Sequence, residues 1–378
     1  MEIYVVKEGD SIDAIAERFG VNAQTMIFDN QLIYPYKLAV GQSLLINDGV
    51  ENQEIRNAVI RGFAYPFISR YVLSQSLPSM SELAVFSYGF TPEGELIKPI
   101  IDESEMIRLA YEYMAKPILT LTPLGADGRF SNELISQIVN NKAATENLIE
   151  NLLEAMDLKG YLGLDIDFEY IKAEDREAFV RFVGNATEVM NESGYSVSVD
   201  LAPKVSATQQ GLLYEGKDYE ALGRIADSVL VMTYEWGYTY GPPMAVAPLN
   251  KVKQVLDYAV TAIDSMKINM GIPNYGYDWP LPYEKGKTKA RTIGNVEAVQ
   301  LAIQYGAKII FDETAQTPYF NYENEGIWHE VWFEDARSLH AKMNLVLNYN
   351  LRGISYWQIM QLFRVNWLLT NYYFFVEK

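Results

Sequence analysis

The sequence predicts an α/β protein: a (β/α)8 TIM barrel with a small α+β insertion between strands 7 and 8, preceded by a small βααβ domain. Three observations lead there. From Asn57 onward, eight short β-rich runs alternate with stretches of helical spacing, the pattern of a parallel barrel. The seventh and eighth runs lie about 80 residues apart, far more than an ordinary crossover needs. The first 47 residues hold a strand, two helices and a strand of their own.

Taken in order, Tyr4-Val5-Val6 reads as a strand, and Glu8-Gly9-Asp10-Ser11 as a turn whose Asp or Ser caps a helix. Ile12, Ile15, Ala16 and Phe19 follow at helical spacing, and Gly20 closes that helix. Thr25-Met26-Ile27 with Asp29-Asn30 suggests a second helix, and Gly41 to Ile46 returns as a strand. This assigns residues 1–48 to the first domain, a polar linker to 49–56 and the barrel to 57–378. The barrel strands are expected at Ala58–Tyr65, Leu83–Tyr88, Pro117–Thr122, Leu162–Phe168, Ser196–Ala202, Ser228–Tyr234, Ile268–Pro273 and Gly353–Trp357. Apolar positions from Leu134 through Met156 read as one helical stretch, and Phe179 to Met190 as another. Strand-like Ala307–Phe311, Tyr319–Asn321 and Glu330–Phe333 place the insertion at about 280–335. The C-terminal LLTNYYFFVEK reads as a last core helix or strand.

Composition narrows the chemistry. Of 378 residues, 49% are hydrophobic, so a substantial core is expected. Lys and Arg total 31 against 49 Asp and Glu, a formal charge of −18 that argues against nucleic acid and anionic membranes as partners. There is no cysteine, which excludes disulfides, thiolate metal sites and cysteine nucleophiles. Two histidines are too few for a three-histidine metal centre, and no phosphate-loop run appears, so no metal and no cofactor is expected. His329 is expected to be a packed histidine rather than a catalyst. The opening MEIYVVKEGDS lacks the pattern of a cleaved signal, and no run approaches the ~20 apolar residues of a membrane span, so no membrane insertion is expected.

The most informative segment is Gly160-Tyr161-Leu162-Gly163-Leu164-Asp165-Ile166-Asp167-Phe168-Glu169-Tyr170. Strand side chains alternate, so Asp165, Asp167 and Glu169 share one face while Leu164, Ile166, Phe168 and Tyr170 share the other. In a barrel the apolar set meets the helices and the acids line the interior. Carboxylates stacked at ~7 Å intervals are costly in a confined space. Mutual repulsion is expected to keep the outermost one protonated, ready to donate.

Residues 2–47 resemble a LysM module: YVVKEGDSIDAIAERFGV, then Asn30, then LAVGQSLLI, in the right order. The resemblance implies binding of N-acetylglucosamine glycans, peptidoglycan or chitin. Its groove would lie between Gly9, Asp10, Ser11 and the segment around Tyr34–Leu38. The rest of the chain resembles the family 18 glycoside hydrolases, whose fourth strand reads D-x-x-D-x-D-x-E. Asp165, Asp167 and Glu169 match, and Leu162 stands at the first acidic position. Met232-Thr233-Tyr234-Glu235 is similar to the sixth-strand motif, with Glu where Asp is common. The run from Gly271 to Trp279 is similar to a third motif, with Tyr277 replacing Arg, and Gly353–Trp357 is similar to the last strand. A LysM module, such a barrel and the segment from Phe320 to Ser338 together resemble spore-germination N-acetylglucosaminidases. This implies a spore-associated location, in coat or cortex, without a cleaved signal, or otherwise a cytoplasmic one.

The resemblance implies substrate-assisted, retaining hydrolysis of bonds after N-acetylglucosamine. Glu169 would be general acid and then base, and Asp167 would orient the sugar's acetamido group. Asp165 would share a proton with Asp167, and Tyr234 would hydrogen-bond the acetamido carbonyl. Trp357 would form the floor, with Tyr275 and Glu235 as further substrate contacts. The alternatives are a chitinase, an endo-β-N-acetylglucosaminidase on other glycans, or a non-catalytic glycan-binding protein on the same fold.

Overall fold

The structure, a computed structural model, describes residues 1–49 and 55–378, so most of the expected linker lies outside the described residues. In the first domain, strand Glu2–Val5 pairs antiparallel with Ser43–Ile46, Tyr4 opposite Leu44. Ser11 caps helix Ile12–Phe19 by accepting from the Ala14 amide, and Gly20 ends it in the left-handed conformation. Asn22 caps helix Ala23–Asp29. The Asn30 amide then ties that helix to the sheet: it donates to the Met26 and Leu45 carbonyls at 2.9 and 2.8 Å and accepts from the Leu45 N–H at 2.7 Å.

The eight barrel strands are Arg56–Ala64, Glu82–Phe90, Lys116–Leu121, Gly163–Ile166, Ser196–Leu201, Ser228–Val231, Ile268–Pro273 and Gly353–Trp357. Each pairs in parallel with its neighbour, and the eighth pairs with the first, so the sheet closes. Closure depends on Gly353: a Cβ there would lie 1.9 Å from the Val59 carbonyl oxygen.

The fourth strand is shorter than expected. It leaves the ladder after Ile166, and Asp167 keeps one bond, its N–H donating to the Leu121 carbonyl at 2.9 Å. Phe168 still points outward, stacked between Phe90 and the helix residues Phe179 and Phe182. Tyr170 does not join that apolar face. Beyond the pleated strand the alternation lapses, and Tyr170 sits 44% exposed at the rim of the cleft described below.

Two other expectations are corrected. The stretch from Leu134 to Met156 forms two helices, Asn132–Val139 and Lys142–Lys159, because the Asn141 side chain caps the second by accepting from the Ala144 amide. The insertion starts directly after the seventh strand. It is a five-stranded antiparallel sheet of Gly276–Pro280, Arg291–Ile293, Ile310–Asp312, Thr317–Asn324 and Ile327–Trp332, with helix Asn295–Gln304. Within it, His329 bonds Asp278 through Nδ1 at 2.8 Å and stacks on Tyr322. The C-terminus supplies both a helix, Arg364–Tyr373, and a strand, Phe374–Val376, beside the first barrel strand.

The first domain is docked on the barrel. The Ile309 N–H donates to the Val40 carbonyl at 2.9 Å, and Arg337 Nη2 donates to the Gly41 carbonyl at 3.1 Å. Gln31 bonds Leu362 and Arg364 in both directions. Leu45 and Ala39 pack into the cores of barrel and insertion respectively. Among the described residues no helix is long and apolar enough to cross a membrane.

Candidate active site

The floor of the barrel is charged. Arg61 of the first strand is 3% exposed; its Nε meets Glu82 Oε2 at 2.7 Å, and its Nη1 meets Asp165 Oδ1 at 2.6 Å and Ser198 Oγ at 2.8 Å. Arg352 Nη2 closes on the other Glu82 oxygen at 2.9 Å. Burial works against the Glu82 charge, yet Arg61 and Arg352 hold its carboxyl down to about 2. Leu162, at the vacant acidic position of the motif, lies below the strand and 38% exposed, while Arg61 and Glu82 supply the charge at the floor.

Above this floor the balance reverses. Burial raises Asp165, though Arg61 and Ser198 pull it back. Burial, then the Glu169 and Asp165 charges, pushes Asp167 well above the usual carboxylate range. Asp200 on the fifth strand is pushed up in the same way by burial, then by Asp165 and Asp167. Glu169 is raised by burial while Lys217 pulls it down. Crowding was expected to hold the outermost proton, but loss of water is the larger cause at all four carboxyls. The reason is depth: one oxygen each of Asp165, Asp167 and Asp200 is buried with no hydrogen-bond partner. Such a cluster keeps protons at pH values where exposed carboxylates have lost theirs.

Lys217 is the counterweight. It is fully buried, its Nζ donates to the Asp200 backbone carbonyl at 2.6 Å, and burial brings it down to about 8 despite the nearby Asp167, Asp200 and Glu169.

The acids open into a cleft of about 600 Å³ whose walls include Asp167, Glu169, Asp200, Met232, Tyr234 and Trp357. A second lobe of about 200 Å³, walled by Tyr65, Phe86, Phe130 and Asn132, shares Asp167, Glu169, Tyr170 and Trp357 with it. The shared residues therefore stand where a chain lying through both lobes would cross. Trp357 is braced edge-on by Phe86, with ring centroids 4.8 Å apart, and by Phe63. The Tyr234 hydroxyl is pushed well up by burial and by Asp200, Asp167 and Glu169, so it stays protonated and able to donate.

Two expected substrate contacts separate. Glu235, at φ 66, lies on the cleft wall and accepts hydrogen bonds from the hydroxyls of Tyr277, at 2.9 Å, and Tyr275. Tyr275 is buried and meets Glu235 rather than the cleft, while Tyr277, the residue at the motif's Arg position, reaches the cleft. In the first domain, Asp10 accepts from the Tyr4 hydroxyl at 2.7 Å and from the Lys7 amide at 2.8 Å. Ser11 is a helix cap, and Gly9 takes φ 83 in the turn. The polar groups named for glycan contact are thus engaged in holding the module together. Tyr34, in the other segment expected to bound the groove, is 80% exposed.

Arg61, Asp200 and Lys217 were missed by sequence reading. A signal existed for Asp200, since Ser198 and Asp200 alternate with Val197, Val199 and Leu201. Lys217 lies in a loop with no pattern to betray it.

Comparison with known proteins follows this geometry. Residues 116–361 match the family model for glycosyl hydrolases family 18, and residues 4–47 match the LysM domain. The chain belongs to glycosyl hydrolases family 18. It is a glycosidase with a LysM domain on a closed (β/α)8 barrel. It is 38% identical to the cortical fragment-lytic enzyme of Bacillus subtilis, over 100% of this chain and 99% of that one. In structure it is similar to the spore cortex-lytic enzyme SleL of Bacillus megaterium: TM-score 0.94, 33% identity, covering 100% and 98% of the two chains. A chitinase from Chromobacterium violaceum matches with TM-score 0.77 and 25% identity, over 83% of this chain and 98% of its own. In this family 18 member, Asp165 lies on the fourth strand with Asp167 and Glu169 just past its end, Tyr234 follows the sixth strand and Trp357 ends the eighth; all but Asp165, which lies in the floor beneath, line one cavity system.

Proposed function

We propose that this protein hydrolyses β-1,4 bonds after N-acetylglucosamine in spore-cortex peptidoglycan fragments, with retention and with the substrate's acetamido group as nucleophile. The similarity to cortical fragment-lytic and cortex-lytic enzymes supports the substrate and a spore-associated setting. The observation that carries the mechanism is the Asp167–Glu169 pair, the first buried and the second partly so, both raised in pKa and shared by both lobes of the cleft.

In this reading a glycan lies across Trp357 with its scissile bond at Glu169. Glu169 donates its proton to the glycosidic oxygen as the bond to the anomeric carbon breaks. The acetamido oxygen attacks that carbon, giving an oxazolinium ion, so no enzyme carboxylate need bond the sugar. Asp167 accepts the acetamido N–H and stabilises the developing positive charge, while the Tyr234 hydroxyl donates to the acetamido oxygen and fixes its approach. Water, deprotonated by Glu169, then opens the ring and restores both groups. Asp165, pinned by Arg61, supports Asp167 from below. Glu235, held by Tyr275 and Tyr277, is placed to bond sugar hydroxyls.

Mass spectrometry of digests of spore cortex, vegetative peptidoglycan and chitin tests this. New reducing ends at N-acetylglucosamine from cortex fragments are expected. Release from chitin alone would transfer the reading to the chitinase likeness, and no cleavage of any polymer would leave a glycan-binding protein. A thiazoline mimic of the oxazolinium ion should compete with substrate.

A further inference from the structure

We propose that the groove between the LysM domain and the barrel mouth is a second glycan site, holding the far end of the same strand that enters the catalytic cleft. The groove has a volume of about 600 Å³ and is walled by Gln24, Phe28 and Gln31 of the first domain, Tyr71, Gln361 of the loop after the eighth strand and Arg364 at the start of the last helix. It lies on the second LysM helix, away from the Gly9–Ser11 turn.

The occupant follows from continuity and chemistry. Trp357, in the cleft, ends the eighth strand, and the short loop after it carries Gln361 and leads to Arg364 in the groove, so both open on the mouth side of the barrel. Tyr65 of the second lobe stacks on Phe67 at 5.2 Å, and its N–H meets the sulfur of Met360, in the loop that leads to the groove, at 3.3 Å. Phe67, Tyr71 and Phe28 are 63%, 59% and 57% exposed, and the last two line the groove. They are fixed rather than loose: the Arg364 guanidinium lies 3.8 Å from the Phe28 ring centroid and donates to the Tyr71 hydroxyl at 2.9 Å. Aromatic faces take the C–H faces of pyranose rings, and amide side chains such as Gln24 and Gln361 match sugar hydroxyl and acetamido groups. An uncharged β-linked N-acetylhexosamine strand satisfies both, and binding at two linked sites gains affinity only when the strand is long enough to reach them.

The inference rests on the hydrolase reading for the direction of the strand, so its test is read by binding, in a Glu169→Gln background that turns substrate over far more slowly. Titration calorimetry with soluble cortex glycans of graded length should show affinity rising with length by about tenfold, equivalent to ~1.4 kcal/mol. Tyr71→Ala should abolish that rise while leaving the shortest fragment's affinity unchanged. Tyr71→Phe, which keeps the ring and loses the Arg364 bond, should behave like the parent. Affinity independent of length, a rise that survives Tyr71→Ala, or equal weakening by both variants would each overturn the second site, whatever the digests show about hydrolysis.

Discussion

Two carboxylate-bearing segments of this chain, the fourth barrel strand and the opening turn of the LysM domain, meet opposite fates. Asp167 is buried with an oxygen that no donor reaches, and loss of water drives its pKa well up. Asp10 sits near the surface, where the Lys7 amide first and the Tyr4 hydroxyl second hold it below its ordinary value. A carboxylate supplied with donors becomes a fastening; one deprived of water and donors alike becomes a store for a proton. The residue type is the same, and the environment assigns the task.

The comparison predicts a graded set of effects. Replacing Glu169 by Gln should lower kcat on cortex fragments by about 10²- to 10⁴-fold, since the proton donor is lost while shape is kept; near-parent turnover would break the contrast outright. Arg61→Met leaves Asp165 buried without its cation and Glu82 with Arg352 alone. Chemical denaturation should show a loss of about 3–5 kcal/mol, with Arg61→Lys recovering part of it; an unchanged midpoint would mean the floor charges are not coupled.

Asp200→Asn sharpens the contrast through pH. Because the folded pKa of Asp200 is raised, the folded state holds a proton that the unfolded chain has released, so stability falls as pH rises from about 4 toward the folded pKa. The variant should flatten that fall, giving a higher Tm than the parent at pH 7 and little difference at pH 4. The smallest effect is expected for Asp10→Ala: a modest drop in the melting temperature, full above the ordinary Asp pKa of about 4 and fading as pH falls through the depressed folded value, with turnover of small soluble fragments unchanged. Loss of that turnover would show that the turn does more than fasten the module.

Deleting the whole LysM domain is a poorer test than these. Leu45 and Ala39 are built into the barrel and insertion cores, and Gln31, Val40 and Gly41 bond across the junction. Truncation would therefore strip packing from the catalytic unit along with the glycan module.

Legibility followed the range of the interaction. The eight strands, the LysM order and the Asp165–Asp167–Glu169 spacing were readable because each is a local pattern: a period of two, a cap, a turn. The same logic overreached where local structure lapses, at Tyr170 beyond the strand end and at Asn140-Asn141 between two helices. Tyr275 was placed correctly along the chain, but its side chain meets Glu235 rather than the cleft, a matter of packing that no spacing encodes.

By itself, then, the sequence determined the architecture and which strand carries the acids, since side-chain alternation is set by the backbone one residue at a time. Only the tertiary structure decided what those acids are. Arg61, Glu82, Ser198, Asp200 and Lys217 arrive from separate strands and a loop, and barrel closure both assembles them and expels the water that would otherwise have kept every carboxyl charged.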